Sequence, residues 1–185
     1  LAPRWNDLER LNKERELVGI YLSAHPLDEY AIVLKHVCNT HMDELDNKPA
    51  LAGREITMGG IVTSVRRGTS KNGNPYGIAR IEDYSGSTEI PFFGNDWITY
   101  QGYLNEGTFL YMKARCQPKQ WRQEELELKI TSMELLPDVK ERLIDKITIT
   151  IPLPELNKQM IADLSVLTKE HPGNTELYFK VTDPE

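Results

Sequence analysis

Cysteine is scarce in this sequence. Cys38 and Cys116 are its two examples among 185 residues. They are too far apart for a metal-ligand spacing, and two thiols do not make the disulfide framework of a small secreted domain. They read as free thiols of a cytoplasmic protein. Histidine is sparse too, with four examples at 25, 36, 41 and 171, all outside the strand-rich middle of the chain. His25, before Pro26, reads as a turn residue. No run of eighteen apolar residues occurs, which excludes an ordinary transmembrane helix, and no signal-peptide pattern opens the chain. Positive charge is in deficit: 22 Lys and Arg face 28 Asp and Glu, for a net charge of -6. That argues against polyanion binding over the whole surface, but it allows a local basic face. Lys71-Asn72-Gly73-Asn74 fits neither a phosphate-cradling loop nor a dinucleotide fingerprint. With no Ser/His/Asp or Cys/His constellation, these residues point to no catalysis, metal or cofactor.

What is present suffices for a packed core. Hydrophobic residues make up 39% and charged residues 27%, as in globular proteins. The length suits one domain with an added unit, or two small ones. The organising stretch runs from Arg54 to Phe93. A long β-rich run, Ile56 to Val65, carries Gly59 and Gly60 in its middle. A basic loop follows, Arg66 to Pro75. A second strand spans Tyr76 to Asp83, and after Ser85-Gly86 a third spans Ser87 to Phe93. Short strands punctuated by turns indicate an antiparallel sheet. A glycine pair inside a long first strand marks a bend that lets one strand serve two halves of a barrel. The expected fold class is therefore α+β: an N-terminal helical pair, a five-stranded OB-fold Greek-key β-barrel, then a small β-α-β unit.

The remaining segments fill this plan. Residues 5 to 22 carry Leu8, Leu11, Val18 and Leu22 at helical spacing. Pro26 opens a second helix with Leu27, Tyr30, Ala31 and Leu34 on one stripe. Residues 38 to 53 read as a polar connector. Asn95 caps a short helix toward Gly102. Strand four, Phe109 to Gln117, alternates Leu110, Met112, Ala114 and Cys116 against Phe109, Tyr111, Lys113 and Arg115. Strand five, Glu125 to Met133, turns Leu126, Leu128 and Ile130 inward. After Pro137, Ile147 to Ile151 and Leu177 to Val181 read as strands flanking a helix striped by Leu156, Met160, Leu164 and Leu167. The expected division is 1–50 helical, 51–137 barrel and 138–185 the start of an α/β domain, with the chain a piece of a longer polypeptide.

OB-folds bind oligonucleotides on the outer surface of strands two and three, between the loops joining strands one to two and four to five. Period two turns Tyr76, Ile78, Arg80 and Glu82 outward, with Glu89, Pro91 and Phe93. The first loop adds Arg66, Arg67 and Lys71. The other adds Lys119 and Trp121, and strand four adds Lys113 and Arg115. Cations track a phosphate backbone, while Tyr76, Phe93 or Trp121 stack on bases. Plainer readings stand beside this one. The loop cations also fit ordinary solvated charge, and each aromatic fits barrel packing. Glu82-Asp83 reads as a barrel-corner turn rather than a metal pair.

Two stretches carry a family resemblance. LNKERELVGIYLSAHPLDEY (residues 11–30) resembles the segment preceding the OB domain of the bacterial DNA polymerase III alpha subunit, and residues 60–93 resemble that OB domain. ITITIP and KEHPG with LYFKV are similar to the start of its C-terminal domain. The resemblance implies a parent that extends primers from deoxynucleoside triphosphates, with its catalytic palm carboxylates outside these residues. It implies contact of the OB domain with single-stranded template DNA, and of the parent chain with the clamp-loader tau subunit and the sliding clamp. Carried onto this sequence, the template contacts are Arg66, Arg67, Lys71, Tyr76, Arg80, Lys113 and Arg115. The alternatives are a replisome interaction scaffold that does not touch DNA, and an anticodon-type OB domain of a tRNA synthetase, against which residues 11–30 speak.

Overall fold

The computed structural model describes residues 7–18, 21, 24–119, 122–173 and 175–183. It divides into two compact units, residues 1–139 and 140–185.

The first unit opens with α1 (Asp7–Val18), inside the helix expected over residues 5 to 22. Leu11 is buried, while Leu22 lies outside the described residues. After Pro26 the chain takes a 3-10 turn, Asp28–Tyr30, and then α2 (Ala31–His36). Leu27, Tyr30, Val33 and Leu34 are buried and Ala31 is exposed, so Val33 replaces Ala31 on the expected stripe. The polar connector is partly core. A 3-10 turn, Met42–Asp46, and α3 (Lys48–Leu51) bring Met42, Leu45 and Leu51 into the barrel interior. Their apolar positions are three and six residues apart, too few turns for a periodic signal to emerge.

The sheet follows: β1 (Glu55–Thr69), β2 (Pro75–Glu82), β3 (Ser87–Phe93), α4 (Asn95–Tyr100), β4 (Phe109–Lys119) and β5 (Arg122–Leu135). Its order is β3-β2-β1-β4-β5, all antiparallel. The long first strand serves both halves: Glu55–Ile61 pairs with β4 and Ile61–Thr69 with β2. The irregularity sits between Val62 and Ser64, just past the glycine pair. Gly59 and Gly60 serve close packing instead. A Cβ on Gly60 would stand 2.6 Å from the Glu82 carbonyl oxygen, and one on Gly59 2.6 Å from Leu34 Cδ2. No ladder joins β3 to β5 among the described residues, so the sheet is not closed.

Period two fills the interior as expected. Ile56, Met58, Ala79, Ile81, Ile90, Phe92, Leu110, Met112 and Ala114 are buried together, each of the larger side chains contributing roughly 1.5–3 kcal/mol. Ile130 and Met133 both reach the core because the β4–β5 register slips at Lys113/Ala114. Asp83 holds the β2–β3 turn. Its Oδ1 accepts from the Ser85 amide (2.8 Å) and hydroxyl (2.6 Å), and its Oδ2 accepts from the Met42 amide (3.0 Å). α5 (Leu136–Leu143) follows, burying Leu136 and Val139.

In the second unit, β6 (Lys146–Pro152) and β7 (Glu176–Thr182) pair in parallel around α6 (Lys158–Glu170). The Asn157 side chain caps α6 by accepting from the Met160 amide at 2.9 Å. Ile147, Ile149 and Ile151 lie opposite Leu177, Phe179 and Val181, which places one apolar face on the sheet. Leu156, Met160 and Leu164 of the expected stripe are half-buried, and Leu167 is exposed.

Candidate nucleic-acid interface

Strand register sorts the sequence-predicted residues into faces. Directly opposed residues share a side of a sheet. Gly68, Tyr76 and Phe93 form one outward row across β1, β2 and β3. The next row is Arg66, Ile78 and Pro91, and the third is Ser64, Arg80 and Glu89. Val65, Ala79 and Ile90 fill the opposite, buried side. The outward orientations expected from period two for β2 and β3 hold throughout.

The aromatic row is built by local fit. The Tyr76 ring lies across Gly68, where a Cβ would stand 2.9 Å from its Cζ and Oη. On the other side Tyr76 meets Phe93, with ring centroids 5.4 Å apart and planes at 37°. Phe93 is 57% exposed, an open π-face at the edge of the wall. Below the rings, Arg66 Nη2 donates to Glu89 Oε2 at 2.5 Å. Arg80 donates to Ser87 Oγ from Nε (3.1 Å) and Nη2 (2.8 Å). Lys71 is exposed at the hairpin tip, where Gly73 has φ +78 and the Ser70 amide donates to the Asn74 carbonyl at 2.8 Å.

Other predicted residues sit elsewhere. Arg67 follows Arg66 and therefore faces the other side, opposite Gly77. Its guanidinium donates to the Leu104 carbonyl (2.8 Å) and Asn105 Oδ1 (3.1 Å), 6.0 Å from the Trp97 ring centroid. Lys113 opposes Thr57 and Arg115 opposes Glu55 on the other half of β1. Thr57 is roughly 30 Å along the strand from Arg66. Lys113 and Arg115 thus leave the single positive wall that the sequence suggested. Lys119 stands at the β4–β5 hairpin, where Glu125 accepts from Lys119 Nζ (2.5 Å) and Arg122 Nη1 (2.8 Å). Those two donors hold the Glu125 carboxyl below its usual range. Trp121 lies outside the described residues.

The seam between β3 and β5 adds a feature that sequence reasoning missed. A cleft of about 420 Å³ joins Glu89, Pro91 and Phe93 to Lys119, Glu127 and Lys129. Lys129 donates to both Asp96 oxygens at 2.6 and 2.7 Å, which fastens β5 to α4. The open β3–β5 edge leaves that space, and no local pattern reports an unmade ladder. The wall and cleft together offer rings, aliphatic surface and paired charges to an extended ligand.

Comparison with known proteins places this geometry. Residues 56–136 match a family model for an OB-fold nucleic acid binding domain. Residues 147–185 match one for the DNA polymerase III alpha subunit, C-terminal domain. The DNA polymerase III subunit alpha of Halalkalibacterium halodurans is 30% identical over 173 residues, 91% of this chain. The chain is related to the DNA polymerase III alpha subunit. The relative from Saccharopolyspora erythraea is 26% identical over 186 residues, 97% of this chain. The chain spans 15% of the length of either alpha subunit. Among solved structures, a mitochondrial single-stranded DNA binding protein from S. cerevisiae is 22% identical, with TM-score 0.31, over 44% of this chain and 92% of its own. The asparaginyl-tRNA synthetase of Pyrococcus horikoshii is 15% identical, with TM-score 0.36, over 52% of this chain and 21% of its own. At those scores neither likeness bears on function. No helix among the described residues is long and apolar enough to cross a membrane.

Proposed function

We propose that this region binds single-stranded DNA across the outer wall of β1, β2 and β3, as the template-contacting OB module of a replicative polymerase alpha subunit. The observation that carries the reading is the Tyr76–Phe93 ring pair, with Phe93 open to solvent and Arg66 and Arg80 on the same side. Bases stack on exposed rings without regard to sequence, and cations one row away meet the backbone. Arg66, Lys71, Tyr76, Arg80 and Phe93 form the working set, with Lys119 at its rim. Primer extension belongs to the parent subunit under this proposal, as do its cytoplasmic location and its engagement of the tau subunit and sliding clamp. The test is fluorescence anisotropy with labelled single-stranded DNA, duplex DNA and RNA at two salt concentrations. Binding that prefers single strands and weakens steeply with salt supports the reading. Absent binding at low salt overturns it.

A second reading rests on the other unit. Ile149, Phe179 and Val181 are partly exposed on one sheet face, and Phe179 and Val181 join Ile151, Leu156, Ile161 and Leu164 in lining an apolar groove of about 390 Å³. Such a groove suits a protein partner better than a nucleic acid. An interaction scaffold would leave single-strand affinity unmeasurable while retaining a protein footprint on residues 147–181.

A further inference from the structure

Arg66 is already occupied. Its guanidinium reaches diagonally across β2, from the row of Ile78 to the row of Arg80, and ends on Glu89 Oε2. Both side chains remain open to water, at 66% and 49% exposure. A lone carboxylate on a phosphate-binding face would repel its ligand. Here the carboxylate is spent on the cation that the ligand needs. The arrangement recurs along the rim: Glu125 holds Lys119 and Arg122, and Asp96 holds Lys129.

We propose that Glu89 stands in for a DNA phosphate, holding Arg66 against the wall until an incoming phosphate displaces it. This deepens, and rests on, the single-strand reading above. One anionic oxygen replaces another as acceptor from the same guanidinium. The freed Glu89 carboxylate must then return to water or gather a cation. Each contact becomes an exchange, so binding is weaker and less salt-dependent than the cation count implies. That suits a strand that must move through the site.

The test uses the 185-residue chain and labelled oligothymidylate in a salt series. The variants are Glu89→Gln, Arg66→Ala, the two together, Tyr76→Ala as a check on the wall, and Glu155→Gln as an equal charge change in the other unit. Glu89→Gln is expected to bind roughly twofold to fivefold tighter, the range of an exposed ion pair, with a salt slope steeper by up to about 0.7. The gain should vanish when Arg66 is also alanine, and Glu155→Gln should bind as the parent chain does. If Glu89→Gln gains nothing while Arg66→Ala weakens binding, the displacement proposal is overturned and the wall survives. An equal gain in Glu155→Gln also overturns it, by reducing the effect to net charge. If Arg66→Ala and Tyr76→Ala both bind as the parent does, the wall itself fails and the proposal goes with it.

Discussion

The Trp97 indole occupies the space that a side chain on Gly77 would need: a Cβ there would stand 2.1 Å from the ring's Cζ3. α4 thereby packs its one buried residue against the inner side of β2, directly behind the Tyr76 row. Gly77→Ala must push the indole away, and overpacking of this kind costs about 1–3 kcal/mol. Urea denaturation reads the loss as a lower midpoint with an unchanged slope. An unchanged midpoint would mean that the indole yields freely and does not set the position of β2.

The ring pair should matter to binding more than to folding. Phe93→Ala is expected to weaken single-strand binding by about 1–3 kcal/mol, the worth of one stacked base. Its exposed position keeps the stability change within roughly 0.5 kcal/mol. Tyr76→Ala should weaken binding similarly and also uncover Gly68. Anisotropy and denaturation on the same preparations separate the two effects. Full affinity in both variants would remove stacking from the mechanism.

Adjacent arginines should give opposite phenotypes. Arg66→Ala is expected to reduce affinity with little effect on stability, and to lower the salt slope by less than the about 0.7 of a full phosphate contact, because Glu89 exchanges with the phosphate at that guanidinium. Arg67→Ala should cost about 1–2 kcal/mol of stability, because the Leu104 carbonyl loses a charged donor. Its effect on DNA binding should be small. A swap of the two phenotypes would show that the faces are misassigned.

Asp83 should be a stability residue. It is buried and gathers the Ser85 amide and hydroxyl, the Gly86 amide and the Met42 amide. Asp83→Ala leaves those donors without an acceptor, at roughly 1–3 kcal/mol per buried group. Asp83→Asn keeps one acceptor oxygen and should recover part of the loss. Hydrogen exchange at the Met42 amide should accelerate most in the alanine variant; unaltered exchange would detach the connector from the turn.

Burial pushes the Cys38 thiol up to about 12, with the Asp83 carboxylate adding to the effect. The folded chain keeps the proton that the unfolded chain gives up. Stability from this group is therefore full below the ordinary thiol value of 9.0 and declines as pH rises from there toward about 12. At pH ~8 a thiol reagent should modify Cys38 slowly in the native chain and rapidly after unfolding. Equal rates in both states would contradict the burial argument.

Much of the barrel was legible because strand alternation is local. Ala79 and Ile81 against Arg80, or Ile90 and Phe92 against Phe93, state their own orientation through period two. The split between Arg66 and Arg67 was not read, because both fell in the expected loop; only the continuation of β1 to Thr69 makes period two send them to opposite faces. Other features carried no local signal. Met42, Leu45 and Leu51 sit among polar residues, and only the packing of their segments on β3, β4 and β5 makes them core. The Glu89–Arg66 and Asp96–Lys129 pairs join residues 23 and 33 positions apart, and only the sheet order brings them together.

The amino-acid sequence alone determined the five strands, their inward and outward faces, and kinship with a replicative polymerase, because these reside in short-range periodicity and in motif order. The tertiary structure decided which cations share the wall with the rings. β1 changes partner at Ile61, sending Arg66 to one half of the sheet and the neighbours of Lys113 to the other, and long-range pairing of that kind is not encoded within any one strand.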